Sequence, residues 1–215
     1  MWIKLILGWC GAYLLGSIPS GIAWSWLAKR IDVRKHGSGR TGGTNVWRSV
    51  GFWPAFATAI SDILKGAAAI WLARGVGLTV WGLALAGTLA VVGHNHSIFL
   101  GFRGGAGTGT SAGVAIALWW PALPILVITA IIVGLLTGHA STASITIALL
   151  LPVIFGLRGE LPNALAFGFL TMVLTLWALQ PNIERLLKRE ERFLPIYAEK
   201  APPICISRHP SRKRS

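Results

Sequence analysis

Acidic residues are scarce in this sequence, and their scarcity excludes several kinds of chemistry. The 215 residues include only seven Asp and Glu, and the only aspartates are Asp32 and Asp62. Two aspartates are too few for the carboxylate cluster that holds Mg²⁺ in many phosphate-transferring enzymes. No His-x4-Asp dyad and no plausible Ser-His-Asp relay is present. We therefore expect chemistry that requires neither a metal nor a covalent nucleophile.

Cysteines and charged residues are also few. Cys10 and Cys205 are the only cysteines, and they fit neither a metal-binding spacing nor a disulfide framework. Charged residues make up 13% of the chain, whereas soluble proteins contain roughly 25%. The chain is 53% hydrophobic with a mean hydropathy of +0.63. This composition indicates an integral membrane protein.

The net charge of +13 does not indicate a nucleic-acid partner. The basic residues lie in loops beside apolar segments and in the C-terminal tail. The positive-inside rule and anionic lipid headgroups account for charges in those places. The partner expected from composition is therefore the lipid bilayer and not a nucleic acid.

Polar loops separate six apolar segments. They are Trp2–Ala28, Phe52–Ala73, Val76–Leu100, Ser111–Thr137, Ala140–Phe155 and Leu161–Ala178. The first segment has no cleavage-like ending, so we expect it to remain as a membrane anchor and not to be removed as a signal. We assign residues 1–199 to one membrane domain and residues 200–215 to a basic, disordered tail that contacts anionic lipid.

The distribution of cations predicts which loops face the cytoplasm. Residues 29–48 hold six Lys and Arg against one acid, and the residues after Asn182 hold nine against four. Both regions are expected on the cytoplasmic side of the cell membrane, with the N-terminus outside. This arrangement requires an odd number of crossings, and Trp119-Trp120-Pro121 or Pro124 can divide the fourth segment. We expect an all-α polytopic protein with about seven transmembrane helices, five being the alternative.

Two glycine-rich, cationic loops interrupt the apolar segments. Glycines allow backbone N–H groups to turn inward and form anion-binding nests, and neighbouring arginines add positive charge. The candidate phosphate-binding residues are Arg34, Lys35, Gly37, Gly39, Arg40, Gly42, Thr44, Asn45, Arg103, Gly104, Gly105 and Gly107. The positive-inside rule explains the cations of the first loop but not the Gly, Ser, Thr and Asn residues among them. Such loops beside hydrocarbon predict a phosphorylated, lipidic substrate.

The second loop alone is the weaker signal. It runs from Gly93-His94 to Gly107 and lacks the Gly-Lys-Ser/Thr ending of a Walker motif, which excludes that nucleotide-binding loop. Close packing of helices explains its glycines equally well.

Two further features, an ionisable pair inside an apolar segment and a polar segment near the C-terminus, can be explained by structure alone. Asp62 and Lys65 lie three residues apart on one face of an apolar helix, as an intramembrane pair that either stabilises the fold or acts in the site. The segment after Asn182 places its polar residues on one face and Leu186 and Leu187 on the other. Without further context, this pattern is typical of an amphipathic helix on the membrane surface.

Together, five groups of residues resemble one protein family in order along the chain. They are Gly16-Ser17-Ile18-Pro19-Ser20-Gly21; Asp32-Val33-Arg34-Lys35-His36-Gly37-Ser38-Gly39 with Gly42, Thr44-Asn45 and Arg48; Asp62-Ile63-Leu64-Lys65-Gly66; Gly93-His94, Phe99, Phe102, Gly104-Gly105 and Gly107; and Asn182-Ile183-x-Arg185-Leu186. The chain resembles the bacterial membrane acyltransferases that make lysophosphatidic acid from acyl phosphate and glycerol 3-phosphate. The resemblance implies a seven-span fold, a cytoplasmic-facing site and no cofactor.

The resemblance also implies roles for individual residues. Ser38, Arg48 and the backbone N–H groups of residues 37–43 are expected to hold one phosphate, and Arg103 with residues 104–108 the other. The 1-hydroxyl of glycerol 3-phosphate then attacks the acyl carbonyl, and inorganic phosphate leaves. The predicted catalytic residues are Ser38, Arg48, His94, Asn182 and Glu191. His94, Glu191 or a substrate phosphate oxygen is the base.

The acyl chain is expected to lie between spans, against Gly16 and Gly21, where missing side chains leave room.

The chain departs from the family pattern at presumed phosphate-binding positions. The second cation of the family's Lys-Gly-Gly-Lys-Gly is Ala106 here, and the Arg-His pair before Asn-Ile is Ala178-Leu179. Arg40 stands where the family has asparagine, and we expect it to restore part of the missing charge. The alternative function is a catalytically altered relative that binds or transports a phosphorylated lipid metabolite, or acylates another phosphorylated acceptor.

Overall fold

The computed structural model describes residues 2–158 and 162–200, so the predicted tail beyond residue 200 lies outside the described residues. Every regular element in these two ranges is helical, which confirms the all-α expectation. The α-helices are α1 (Trp2–Ser17), α2 (Ser20–Lys29), α3 (Gly43–Ser49), α4 (Phe52–Gly75), α5 (Val80–Asn95), α6 (Thr108–Leu118), α7 (Ala122–Thr137), α8 (Ala140–Leu157), α9 (Pro162–Ala178) and α10 (Gln180–Leu187). Short 3₁₀ helices occur at Val33–Lys35, Ile98–Leu100 and Pro195–Lys200.

Four stretches within the described residues are long and apolar enough to cross a membrane. They are Trp2–Lys29, Phe52–Gly75, Val80–Leu100 and Ala140–Leu157. A fifth forms if α9 and α10, which are bent by 61° relative to each other, count as one span. The predicted division of the fourth apolar segment is confirmed, because α6 ends at Leu118 and α7 begins at Ala122. The total number of crossings and the sides of the termini stay predictions.

Glycines bring the central helices into backbone contact. A Cβ added at Gly16 of α1 would lie 2.0 Å from the Ala90 carbonyl oxygen of α5. A Cβ added at Gly113 of α6 would lie 1.9 Å from the Ile63 carbonyl oxygen of α4. Lipid provides little hydrophobic force between helices, so van der Waals contact through small residues holds such pairs together. α5 therefore packs tightly on α1, and α6 packs tightly on α4. These contacts fix the position of the loop between α5 and α6.

The polar loop after α2 has a small core of its own. Val33, Val46, Val50 and the first turn of α4 at Ala55 are buried together. The loop also contacts α2 directly, because a Cβ at Gly21 would lie 1.8 Å from the Thr41 carbonyl oxygen. These contacts hold the first glycine-rich loop rigidly against the end of the helix bundle.

Candidate active site

One cavity joins both glycine-rich loops to the segment that follows α9. Its volume is about 560 Å³, within the range usual for ligand sites. Its polar lining consists of Ser38, Arg40, Thr44, Asn45, Arg48, Asp62, His94, Thr108, Ser141, Ser144, Asn182 and Glu191. Its apolar lining comes from α3, α4, α7 and α8 and includes Trp47, Phe52, Phe56, Ala59, Ala130, Ile131, Leu135, Ala143 and Ile147. The cavity is therefore amphipathic.

Asn45 folds the first loop. Its side-chain oxygen accepts a hydrogen bond from the Ser38 amide at 2.9 Å. Its amide nitrogen donates to the carbonyl oxygens of Val33, His36 and Arg40 at 3.0, 3.1 and 2.8 Å. Because these bonds use both ends of the amide group, Asn45 positions the neighbouring residues of the loop.

The first loop also depends on the left-handed turn at Gly37, where φ is +55°. A Cβ there would lie 2.1 Å from the Asn45 side-chain oxygen, so only glycine fits. Gly37 and Gly39 therefore shape the loop without lining the cavity.

Arg48 ties α3 to the chain's C-terminal segment. Its guanidinium donates to the Arg192 and Phe193 carbonyl oxygens at 3.1–3.2 Å. We call residues 190–197 the C-terminal strap, because they return across the corner between α7 and α8. There the Leu194 amide donates to the Gly138 carbonyl oxygen at 2.7 Å. Arg48 thus holds the strap beside the cavity.

The second loop lies on the end of α5. A Cβ at Gly105 would fall 2.1 Å from His94 Nε2, and a Cβ at Gly104 would fall 1.9 Å from the His94 carbonyl oxygen. These two glycines are therefore used for close packing. Gly107, at φ +88°, then turns the chain into α6, whose N-terminus at Thr108 faces the cavity. The first turn of a helix offers free N–H groups and positive potential to an anion.

A buried ionic cluster supports the cavity wall. Asp62 accepts a hydrogen bond from Ser20 Oγ at 2.5 Å and pairs with Lys65 Nζ at 2.9 Å. His94 Nδ1 lies 3.5 Å from the same carboxylate. Lys65 Nζ also donates to the Ile18 carbonyl oxygen at 2.9 Å, at the break that Pro19 makes between α1 and α2. Asp62 and Lys65 therefore form an ion pair in the structure, and both charges are compensated inside the bundle. A direct role of the pair in the site stays a prediction.

Glu191 of the strap is held against α10. Asn182 Nδ2 donates to its Oε1 at 3.0 Å, and Arg185 Nε donates to its Oε2 at 2.8 Å. The Glu191 side chain is only 3% exposed. The polar face of the predicted surface helix is thus directed towards the cavity at Asn182.

Five side-chain atoms of residues in the cavity lining are buried without a hydrogen-bond partner in the described ranges. They are Arg40 Nη1, His94 Nδ1, Thr108 Oγ1, Ser141 Oγ and Asn182 Oδ1, of which His94 Nδ1 lies 3.5 Å from the Asp62 carboxylate. Buried polar groups usually have hydrogen-bond partners. The lack of such partners for these atoms indicates that the cavity wall is suited to a polar ligand. Burial lowers the pKa of Arg40 and of Arg48 from the ordinary arginine value, but an arginine stays charged at neutral pH.

The structure brings most, but not all, of the predicted site residues together. Those that line the cavity are Ser38, Arg40, Gly42, Thr44, Asn45, Arg48, Asp62, His94, Gly107, Asn182 and Glu191. Those outside its lining are Arg34, Lys35, Gly37, Gly39, Lys65, Arg103, Gly104 and Gly105. Arg103 is exposed, and Arg34 is paired with Asp32 at 2.8 Å.

The expectation that an acyl chain lies against Gly16 and Gly21 is wrong. Backbone atoms of Ala90 and Thr41 occupy the space beside these glycines. The apolar side chains that line the cavity come instead largely from α4, α7 and α8. Thr108 lines the cavity as the last residue of the predicted 104–108 nest, whereas Ser141 and Ser144 were not predicted, because single hydroxyls in an apolar segment give no sequence signal.

Within residues 2–158 and 162–200, no three His, Cys, Asp or Glu side chains are grouped as a metal site would require.

Comparison with known proteins gives one consistent result. The family model described as glycerol-3-phosphate acyltransferase matches residues 6–189. A glycerol-3-phosphate acyltransferase of Gloeobacter violaceus is 40% identical over 194 residues, which cover 87% of this chain and 94% of the relative. Glycerol-3-phosphate acyltransferase 1 of Deinococcus radiodurans is 42% identical over 196 residues, covering 90% and 98%.

A solved structure has the same fold. The crystal structure of PlsY, an integral membrane glycerol 3-phosphate acyltransferase in its glycerol 3-phosphate form, superposes with a TM-score of 0.83. It is 32% identical, and the match covers 89% of this chain and 95% of that one. These matches confirm the resemblance seen in the motifs and the predicted class of activity. The chain therefore belongs to the glycerol-3-phosphate acyltransferase family.

Proposed function

We propose that this protein transfers a fatty acyl group from acyl phosphate to the 1-hydroxyl of glycerol 3-phosphate, giving lysophosphatidic acid and inorganic phosphate. The observation that carries the proposal is the amphipathic cavity. Its lining combines arginines, hydroxyls and the N-terminus of α6 with apolar side chains of α4, α7 and α8. An acyl phosphate likewise combines an anionic head with an apolar chain.

The polar lining suits a reaction whose donor is already activated. Acyl phosphate is a mixed anhydride, so the protein needs to bind both phosphates, align the hydroxyl with the carbonyl and stabilise the developing charge. Ser38, Thr108 and the first-turn N–H groups of α6 are placed to bind phosphate oxygens. Asn182 lines the cavity and its Oδ1 has no partner in the described ranges, so we assign this oxygen to accept a hydrogen bond from the attacking hydroxyl.

The geometry separates the candidate bases. His94 has Nδ1 near Asp62 and Nε2 directly under Gly105, so both ring nitrogens are enclosed by protein. Glu191 has each carboxylate oxygen engaged, by Asn182 and by Arg185. Both residues are therefore assigned to positioning, and an oxygen of a substrate phosphate is the proposed proton acceptor.

The proposed location is the cell membrane, with the cavity on the cytoplasmic side. Both glycine-rich loops and the strap lie at one end of the bundle, where they line the same cavity. The first loop and the residues after Asn182 carry the excess of cations that favours the cytoplasmic side.

The deciding experiment is lysophosphatidic acid formation by purified protein in detergent, with palmitoyl phosphate as donor and palmitoyl-CoA in a parallel reaction. We expect product from the acyl phosphate alone. Ser38→Ala and Arg48→Ala should each lower kcat/KM by about 10- to 100-fold, since each loses a polar contact that supports phosphate binding. The matched control is Arg74→Ala, an exposed residue at the far end of α4. Full activity of both cavity variants would show that the reaction occurs elsewhere.

A second candidate is a catalytically altered relative. Ala106 and Leu179 both line the cavity, so the two positions where the family pattern has Lys and His contribute no polar group. Binding of glycerol 3-phosphate without product from any donor would favour a binder or transporter. Consumption of acyl phosphate only with a different phosphorylated acceptor would favour a sibling acyltransferase.

A further inference from the structure

We propose that Arg40 is the principal phosphate-binding cation of this cavity and compensates for the cation missing at position 106. The inference rests on the proposed function, because the phosphate it concerns belongs to a substrate of that reaction. It assigns the anion-binding charge to one side chain among the several cations of the two loops.

The first step is the set of cations that reach the cavity. In the part of the chain that the structure describes, the lysine and arginine side chains of the lining are Arg40 and Arg48. Arg48 uses its Nε and one terminal nitrogen to bind strap carbonyl oxygens. Arg103, the expected cation of the second loop, is exposed and does not line the cavity. Arg40 is therefore the cation best able to meet a ligand.

The second step is that the two terminal nitrogens of the Arg40 guanidinium have different surroundings. One terminal nitrogen, Nη2, donates to the carbonyl oxygen of Ala178 at the C-terminal end of α9. The other, Nη1, is buried and has no partner in the described ranges. A helix C-terminus has unsatisfied carbonyl groups that attract cations. That bond therefore fixes the guanidinium plane and leaves one nitrogen for an anion.

The third step is rigidity. The Arg40 carbonyl oxygen accepts a hydrogen bond from Asn45 Nδ2 at 2.8 Å. The next residue, Thr41, is buried, and its backbone packs against Gly21 of α2. Both ends of the side chain are therefore held before a ligand arrives, which lowers the entropic cost of binding.

The fourth step is the surroundings of the free nitrogen. The strap contributes one carboxylate, Glu191, to the cavity lining. This carboxylate already accepts hydrogen bonds from Arg185 and Asn182. The cavity also contains Thr108 Oγ1 and the N-terminus of the 11-residue helix α6. These groups and Arg40 suit a phosphate that lies between the first loop and α6. Ala106, just before α6, lines the same cavity and contributes no charge to it.

The test is a charge exchange between the two loops. We compare wild type with Arg40→Met, Arg40→Lys, Ala106→Lys and the double variant Arg40→Met/Ala106→Lys, using Arg74→Ala as the control. Arg40→Met keeps much of the apolar stem but removes the charge. We expect it to raise the KM for a phosphorylated substrate or lower kcat/KM by about 10- to 100-fold. The double variant should recover at least a third of the loss in log(kcat/KM). The kcat/KM of Arg40→Lys should lie between the values of wild type and Arg40→Met.

A binding measurement separates this proposal from the proposed function. The Kd of glycerol 3-phosphate and of inorganic phosphate is measured by calorimetry for each variant, with melting temperature as the check of folding. If wild type makes no product but binds glycerol 3-phosphate through Arg40, the proposed function fails and the role of Arg40 stands. If folded Arg40→Met retains activity and both Kd values within threefold of wild type, the role of Arg40 is refuted. If Arg40→Met does not fold, Arg40→Gln decides in the same way, because it removes the charge but keeps a hydrogen-bonding side chain of similar length.

Discussion

Asp62 shows how one ionisable side chain is accommodated within a membrane-spanning helix. It is 4% exposed and Lys65 is 6% exposed, yet each has a charged or hydrogen-bonding partner on a different helix or helix break. The spacing of Asp62 and Lys65 predicts that they share a face. Their contacts with Ser20 and Ile18 could not be predicted, because these depend on how closely α2 approaches α4.

We expect Asp62→Asn to destabilise the folded protein by about 3–5 kcal/mol, because it leaves the Lys65 ammonium buried without a counter-charge. Ser20→Ala removes only one hydrogen bond to the carboxylate and should cost about 1.5–3 kcal/mol. The measurement is thermal unfolding of the purified proteins in one detergent. Equal melting temperatures for wild type and Asp62→Asn would mean that the carboxylate is not needed to neutralise Lys65.

Asp32→Asn is the matched control, because Asp32 pairs with Arg34 in a partly exposed loop. This change should alter stability by less than about 1 kcal/mol. The Arg34 side chain donates to the Asp32 carboxylate and holds the pKa of that carboxyl below its usual value. The contribution of this pair is therefore present at neutral pH and is lost as the pH falls through the folded-state pKa.

At the scale of helices, hydropathy predicts where each helix begins and where it is broken. It predicts less well which helices are in contact. A helix in lipid satisfies its own backbone hydrogen bonds, so an apolar stretch and a proline are enough to locate α6 and α7. The 61° bend between α9 and α10 and the use of Gly104 and Gly105 for packing depend on neighbouring elements. Composition alone made these two glycines candidates for an anion-binding nest.

The contact between α4 and α6 gives a prediction at this scale. A Cβ at Gly113 would lie 1.9 Å from the Ile63 carbonyl oxygen, so Gly113→Ala forces two helix backbones apart. We expect a loss of at least about 1–3 kcal/mol, the usual cost of overpacking, and lower activity, because α6 carries Thr108 into the cavity. Thermal unfolding and the acyltransferase assay measure the two effects.

Gly75→Ala is the control for Gly113→Ala, since no atom lies within 4 Å of a Cβ built at that position. It should leave both the melting temperature and the activity close to wild type. Similar behaviour of the two alanine variants would indicate that α4 and α6 are separated in the membrane.

At the scale of the whole molecule, the site is assembled from distant parts of the chain. Arg48 contacts Phe193, 145 positions away, and Arg40 contacts Ala178, 138 positions away. Sequence motifs identified most of the polar residues that line the cavity but not its apolar residues. The strap's path across α7 and α8 could not be predicted, because no periodic pattern marks an irregular segment held by backbone hydrogen bonds.

The arrangement of the two ends of the bundle leads to a prediction of orientation. The cavity end carries the cation-rich loop and α10, whereas the short connection between α4 and α5 lies at the opposite end. We expect the cavity end to face the cytoplasm, because cations beside spans are retained on that side. Single cysteines at Lys188, after α10, and at Arg74, at the end of α4, report on the two ends, since both positions are exposed.

The measurement uses a background in which Cys10 and Cys205 are replaced by serine and a maleimide that does not cross membranes. In intact spheroplasts, Arg74→Cys should be labelled and Lys188→Cys should not. After permeabilisation, both should be labelled, which controls for reactivity. Labelling of Lys188→Cys alone before permeabilisation would show that the orientation is the reverse and that the cavity faces the outside. Labelling of both in intact spheroplasts would mean that the two ends are on one side, which an odd number of crossings between them forbids.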